Sequence, residues 1–264
     1  FGDLVTMKWW DDLWLNESFA EWASTTCQAE ATQWASAWTT FCTHEKAWAY
    51  RQDQLSSTHP IVAAIGDLHD VETNFDGITY AKGASVLKQL VAYVGREQFV
   101  AGLRSYFAKH AWGNTTLGDL LAELEAASGR DLRSWSQMWL ETSGVNTLRL
   151  QVATDDRGAI SSAVIEQSVA SGDDLLRPHS LRIGAYELDG DNFVRTASID
   201  VDVSGAATEV PELLGMAAPA VLLVNDDDLA YGKIRFDERS LASVLARPRG
   251  FTDTLPHSLA IAGL

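Results

Sequence analysis

Two short segments of the 264-residue sequence set polar, titratable side chains among aromatic rings. The first is Trp14-Leu15-Asn16-Glu17-Ser18-Phe19-Ala20-Glu21-Trp22. Glu17 stands in the first turns of a helix predicted from the spacing of Leu15, Phe19, Trp22 and Thr26. A carboxylate so placed is either buried with a partner or open to a cleft, and its plainest role is to complement the helix dipole. Asp11 and Glu17 form a carboxylate pair of the kind a glycosidase uses, but nothing in the sequence fixes the separation that chemistry needs. The second segment is Phe75-Asp76-Gly77-Ile78-Thr79-Tyr80-Ala81-Lys82-Gly83-Ala84. Tyr80 opens a second helix, and Gly83 in its first turn allows another backbone to approach closely. A tyrosine at a helix end packs its ring and finds a carbonyl for its hydroxyl. His44, His59, His69, His110, His179 and His257 include no pair four residues apart, so none forms a helical metal-binding pair. The sequence has neither a glycine-rich phosphate loop nor a G-x-S-x-G elbow.

The elements that must hold these residues fall into two regimes. Up to about residue 144 the apolar spacing is helical, with helices predicted over 80–93, 97–109, 117–127 and 131–141. Val86, Leu87, Leu90, Val91 and Val94 form the stripe of the first of these, and Gly95 sits at its stop. Thr116-Leu117-Gly118-Asp119 is an N-cap region. From about Val145 the period changes to two: Leu148, Leu150 and Val152 alternate with Arg149 and Gln151. Further strands are predicted over 159–167, 179–188, 192–203, 220–225 and 230–236, separated by Asp- and Gly-rich turns. Short alternating strands at this spacing point to an antiparallel β-sandwich. After Asp237 the pattern is helical again.

Composition narrows the partners. A net charge of −16 repels phosphate backbones and anionic membranes, which sets nucleic acid aside. No apolar run reaches the about 18 residues of a membrane span. Cys27 and Cys42 are too few for a disulfide framework or a thiolate metal site and are expected as reduced, partly buried thiols. Six of the ten tryptophans, Trp9, Trp10, Trp14, Trp22, Trp34 and Trp38, crowd the start of the chain and should fill a core or line a pocket.

The stretch running from Phe1-Gly2-Asp3 through Lys8-Trp9-Trp10-Asp11-Asp12 to Trp14-Leu15-Asn16-Glu17-Ser18-Phe19-Ala20 resembles the segment that follows the zinc motif in the aminopeptidase N family of gluzincin metallopeptidases. In that family two histidines of H-E-x-x-H and a glutamate on the next helix hold zinc. The resemblance makes Glu17 the metal ligand. Its spacing closes if the histidines stand just upstream of Phe1, so the chain is expected to be an internal piece without the H-E-x-x-H segment. Glu21 would then be a carboxylate that orients a zinc histidine. The family's Tyr-x-Lys-Gly motif matches Tyr80, Lys82 and Gly83, with Ala81 where most members carry Glu. The resemblance makes Tyr80 the catalytic tyrosine, a phenol that is a neutral donor at pH 7 and suits a developing oxyanion. Ser57-Thr58-His59-Pro60-Ile61 also resembles the family, with His59 structural or pocket-lining.

The implied fold is α+β: residues 1–145 as the C-terminal helical part of a thermolysin-like catalytic domain, 146–236 as an antiparallel β-sandwich, and 237–264 as the start of a C-terminal helical domain. The implied function is that of a zinc-dependent aminopeptidase, similar to membrane alanyl aminopeptidase, which removes N-terminal residues from peptides. The full-length form is expected to be cytoplasmic and monomeric, with peptide substrates and no nucleic-acid or membrane partner. One carboxylate falls short of a zinc site, so the chain alone is expected to bind Zn2+ poorly, to be inactive and to expose apolar surface. The alternative is a non-catalytic peptide- or protein-binding module in which Glu17 and Tyr80 are structural.

Overall fold

The computed structural model describes all residues from 1 to 264. Strand β1 (Val5–Met7) and a 3-10 turn (Trp10–Asp12) lead into helix α1 (Trp14–Ala31). Helix α2 (Ala37–Thr40) runs on through a π-helical turn (Phe41–Lys46) into α3 (Ala47–Gln52), and α4 (Leu68–Thr73) follows. A second π-helical turn (Ile78–Lys82) continues directly into α5 (Gly83–Val94). Helix α6 (Arg96–His110), strand β2 (Gly113–Thr115) and helices α7 (Leu117–Ser128) and α8 (Arg133–Leu140) complete the helical half.

The local chemistry explains the limits. Helix α5 buries Val86, Leu87, Leu90 and Val94 on its inner stripe. It stops where Gly95 takes φ 91°, a conformation that side-chain-bearing residues avoid. Helix α7 opens with a reciprocal Thr116–Asp119 capping box. Twenty-four buried residues form one apolar cluster, nearly all from the helices, with Val145 and Tyr231 reaching in from the sheet side. Of the early tryptophans only Trp14 is buried; Trp22 packs its ring against Phe19 and Phe99, whereas Trp9 and Trp34 are exposed. The expectation that these rings fill a core or line a pocket thus holds for four of the six: Trp14 lies in the core, and Trp22, Trp34 and Trp38 line pockets. Cys42 is partly buried as expected, but Cys27 is exposed on the outer face of α1.

Strands begin where the period changes: β3 (Gly144–Thr154), β4 (Ile160–Gly172), β5 (His179–Asp189), β6 (Asn192–Val203), β7 (Ala207–Glu209), β8 (Val221–Val224) and β9 (Lys233–Arg235). They form a four-stranded sheet in the order β7-β4-β3-β9 and a three-stranded sheet in the order β6-β5-β8. Inward residues of both sheets, among them Leu148, Leu150, Ile165, Ile183 and Val201, share one cluster of 26 buried residues. The pairing is antiparallel with one exception: β9 lies parallel to β3, with Leu148 opposite Ile234. The wholly antiparallel expectation fails there because the chain leaves β8 in the other sheet, crosses through residues 225–232 and enters alongside β3 in the same direction. Helices α9 (Glu238–Ala246) and α10 (Thr254–Gly263) place Val244, Leu259 and Ala260 in the sheet cluster.

Two buried ion pairs join the helices to the strands. Lys46 contacts Asp228 at 2.5 Å and donates to the Ala230 carbonyl at 2.7 Å. Lys82 contacts Asp53 at 2.9 Å and donates to the Gly144 carbonyl at 3.2 Å. Asp53 also accepts from the Gly144 amide at 2.8 Å and the Tyr231 hydroxyl at 3.1 Å. Each buried charge therefore has a partner and further hydrogen bonds, the condition for tolerating it.

Candidate active site

The Ile78–Lys82 turn sets Tyr80. Its hydrogen bonds span five residues: Lys82 N–H donates to the Gly77 carbonyl at 2.9 Å, and Gly83 N–H donates to that of Ile78. Single π turns recur at functional sites because they displace a few side chains from the regular helical surface. The Ser18 hydroxyl of α1 donates to the Thr79 carbonyl, one residue before Tyr80. That approach requires Gly83. A Cβ at position 83 would lie 1.9 Å from Ser18 Oγ and 2.7 Å from its Cβ. Helix α1 and the turn are thus clamped together beside both residues of interest.

Across this contact the Glu17 carboxylate faces the Tyr80 hydroxyl. Burial, with the nearby carboxylates of Glu17 and Glu21, pushes the phenol up to about 12. Tyr80 is therefore a protonated donor through the neutral range. Glu17 and Tyr80 are both half-buried, so each keeps part of its surface open to solvent. Glu21, one turn along α1, is also half-buried and lines a cleft with Thr25, Trp34, Phe41 and Glu45. Burial, and then the charge of Glu45, raises its carboxyl above the usual range. The titratable neighbour of Glu21 on this side is the Glu45 carboxylate.

Lys82, which ends the turn, points away from the cleft into the ion pair with Asp53, and burial pulls its ammonium down to about 8 despite that partner. The beginning of the turn is held by Asp76. Its Oδ1 accepts from the Ile78 and Thr79 amides at 2.9 and 3.1 Å. Its Oδ2 accepts from His59 Nε2 at 2.8 Å and from Gln52 Nε2. An Asp two residues ahead of an apolar helical run is a capping signal, the one feature of the sequence that marks Asp76. His59 was read as structural or pocket-lining, and here it lines a cleft with Pro60, Val62 and Asn74 while bonding Asp76.

No cluster of three or more His, Cys, Asp or Glu side chains in this chain could hold a metal ion. Glu17 fits one place in a zinc coordination sphere, an ionisable oxygen donor at a cleft, but the chain's own residues do not complete a set. No helix is long and apolar enough to cross a membrane.

Residues 1–142 match the profile of the peptidase family M1 domain. The chain is 58% identical over 271 aligned positions to aminopeptidase N of Streptomyces lividans, covering 99% of this chain and 32% of that protein. It is 30% identical to aminopeptidase M1 of Arabidopsis thaliana over 93% of its length and 28% of the relative. Tricorn protease-interacting factor F2 of Thermoplasma volcanium is 41% identical over 57% of the chain and 19% of its own length. The chain spans a third or less of each relative. With more than half of its residues matched by the domain profile and its first segment folded against the tyrosine turn, the chain belongs to peptidase family M1.

Proposed function

We propose that the longer protein containing this chain is a zinc-dependent aminopeptidase that removes N-terminal residues from peptides. In this reading Glu17 is one metal ligand and Tyr80 donates to the scissile carbonyl oxygen. The supporting observation is that the fold brings the Tyr80 phenol against the Glu17 carboxylate, although the two are far apart in sequence. Residues 1–145 would be the helical part of a thermolysin-like catalytic domain, 146–236 a β-sandwich domain and 237–264 the start of a helical domain.

The chain's residues do two things in that reaction. Tyr80 holds a proton at a fixed oxygen and offers it as a hydrogen bond where charge grows on the substrate carbonyl, a contact that strengthens towards the transition state. Glu17 offers an ionised oxygen in the first turn of α1. Zinc, when bound with further ligands from outside this chain, would lower the pKa of a water and polarise the carbonyl. Glu21 would steady the site through its carboxylate.

The test uses the full-length protein and an aminoacyl anilide substrate. Tyr80→Phe should lower kcat by about 10² to 10³, the usual cost of one oxyanion donor, with little change in KM or zinc content. Glu17→Ala should lower bound zinc itself. Near-normal kcat in Tyr80→Phe would make Tyr80 a packing residue, and unchanged zinc in Glu17→Ala would leave the metal assignment without basis.

A further inference from the structure

His59 and Asp76 form a node at the start of the tyrosine turn, and every polar atom in it is engaged. His59 Nδ1 lies 2.7 Å from the Pro60 carbonyl oxygen and Nε2 lies 2.8 Å from Asp76 Oδ2. Both neighbours accept hydrogen bonds, so both ring nitrogens must donate and the imidazole is a cation. Asp76 takes four donors, two from backbone amides of the turn and one each from His59 and Gln52. That fills the acceptor sites of an ionised carboxylate. Gln52 Oε1 in turn accepts from the Gly77 amide at 2.9 Å.

The node reaches Tyr80 through the backbone. The Tyr80 amide donates to the Asp76 carbonyl at 3.0 Å, and the two amides held by Asp76 Oδ1 belong to the residues just before Tyr80. On the far side Thr79 is held by Ser18, and Ala81 is fully buried. Tyr80 thus has one setting for its Cα, fixed on one side by the His59–Asp76 pair and on the other by α1. His59 touches neither the phenol nor Glu17. Its effect can reach the site only through the pose of the turn.

We propose that His59 and Asp76 are positioning residues for Tyr80: an imidazolium–carboxylate pair that caps the π turn and aims the phenol at the Glu17 side of the cleft. The proposal rests on the reading of Tyr80 as an oxyanion donor for its consequence in kcat, and on geometry alone for the pose. A cap that merely stabilised the helix would lower Tm and leave kcat of the folded enzyme intact.

The experiment places His59→Gln and Asp76→Asn in the full-length protein, each alone and combined with Tyr80→Phe. Asp76→Asn keeps an oxygen for the turn amides if the global fold depends on the cap. Each single variant should lower kcat by about 10- to 100-fold, the scale for groups that orient a functional side chain, with KM within about twofold and zinc unchanged. In the Tyr80→Phe background the same changes should cost less than about threefold, because the group they aim is already gone. Provided that Tyr80→Phe itself lowers kcat, a full additional loss in that background, or no loss in either single variant, overturns the proposal. A 3-fluorotyrosine at position 80 reads the pose without reference to activity. Its fluorine resonance should shift or broaden in His59→Gln, and an unchanged resonance overturns the proposal. A shifted resonance together with a harmless Tyr80→Phe would uphold the positioning and remove the catalytic reading of Tyr80 instead.

Discussion

Tyr80 shows how one residue's chemistry follows from its neighbours. Burial and the Glu17 carboxylate hold its phenol at about 12, so it cannot be the group that titrates in the working range. His179 makes the opposite case. It is fully buried against Trp139, neither ring nitrogen has a partner, and burial, with the positive charges of Arg177 and Lys46, depresses it to about 3. The unfolded chain then binds a proton below about pH 6.5 that the native state refuses. Native stability should be free of this penalty above that pH and fall by about 1.4 kcal/mol per pH unit as pH drops from 6.5 towards 3. His179→Phe should flatten that slope in denaturant titrations at pH 6, 5 and 4. Glu17 and Tyr80 became candidates only through motifs that resemble the family; by residue type alone a helix-dipole glutamate and a packing tyrosine were the plainer readings. His59 and Asp76 were not legible as a pair: a loop and α4 intervene, and only the folded backbone brings the imidazole to the carboxylate.

At the scale of elements, the Ile78–Lys82 turn carries Tyr80. Apolar spacing correctly placed a helix here, but a single widened turn leaves the hydrophobic stripe of α5 nearly unchanged, so periodicity could not distinguish it from a regular turn. The same blindness hid the Phe41–Lys46 turn. The two turns share a feature: each ends on a lysine that burial would penalise and an aspartate of another segment accepts. Gly83→Ala tests the clamp. The added methyl collides with Ser18 and must push α1 from the turn, so it should destabilise the fold by about 1–3 kcal/mol and lower kcat in the full-length enzyme. A variant with an unchanged denaturation midpoint would show that α1 has slack. The longer strands were read to within about five residues because apolar and polar residues alternate along much of β3, β4 and β6. The strand predicted over 230–236 is β9, but its parallel direction was not legible, since three residues of strand carry no record of direction, and the equally short β7 was not predicted.

Across the whole molecule the period change at β3 marks a change of core but not a break in contact. Trp112 is 87% exposed and Leu68 71%, both in the helical half. Lys82→Met leaves Asp53 charged and buried without its cation, and should cost about 3–5 kcal/mol in chemical denaturation. A loss below about 1 kcal/mol would mean that the Tyr231 hydroxyl and the Gly144 amide suffice for Asp53. The Gly144 amide has a further use. It donates to Asp53 at the first residue of β3, where the helical half hands over to the strands. To exchange its hydrogen with solvent it must leave that carboxylate, and leaving exposes the Asp53–Lys82 pair as well. Its deuterium uptake should therefore be among the slowest in the chain and should match that of the β3 core amides, so that the helices and sheets open as one cooperative unit and not as two.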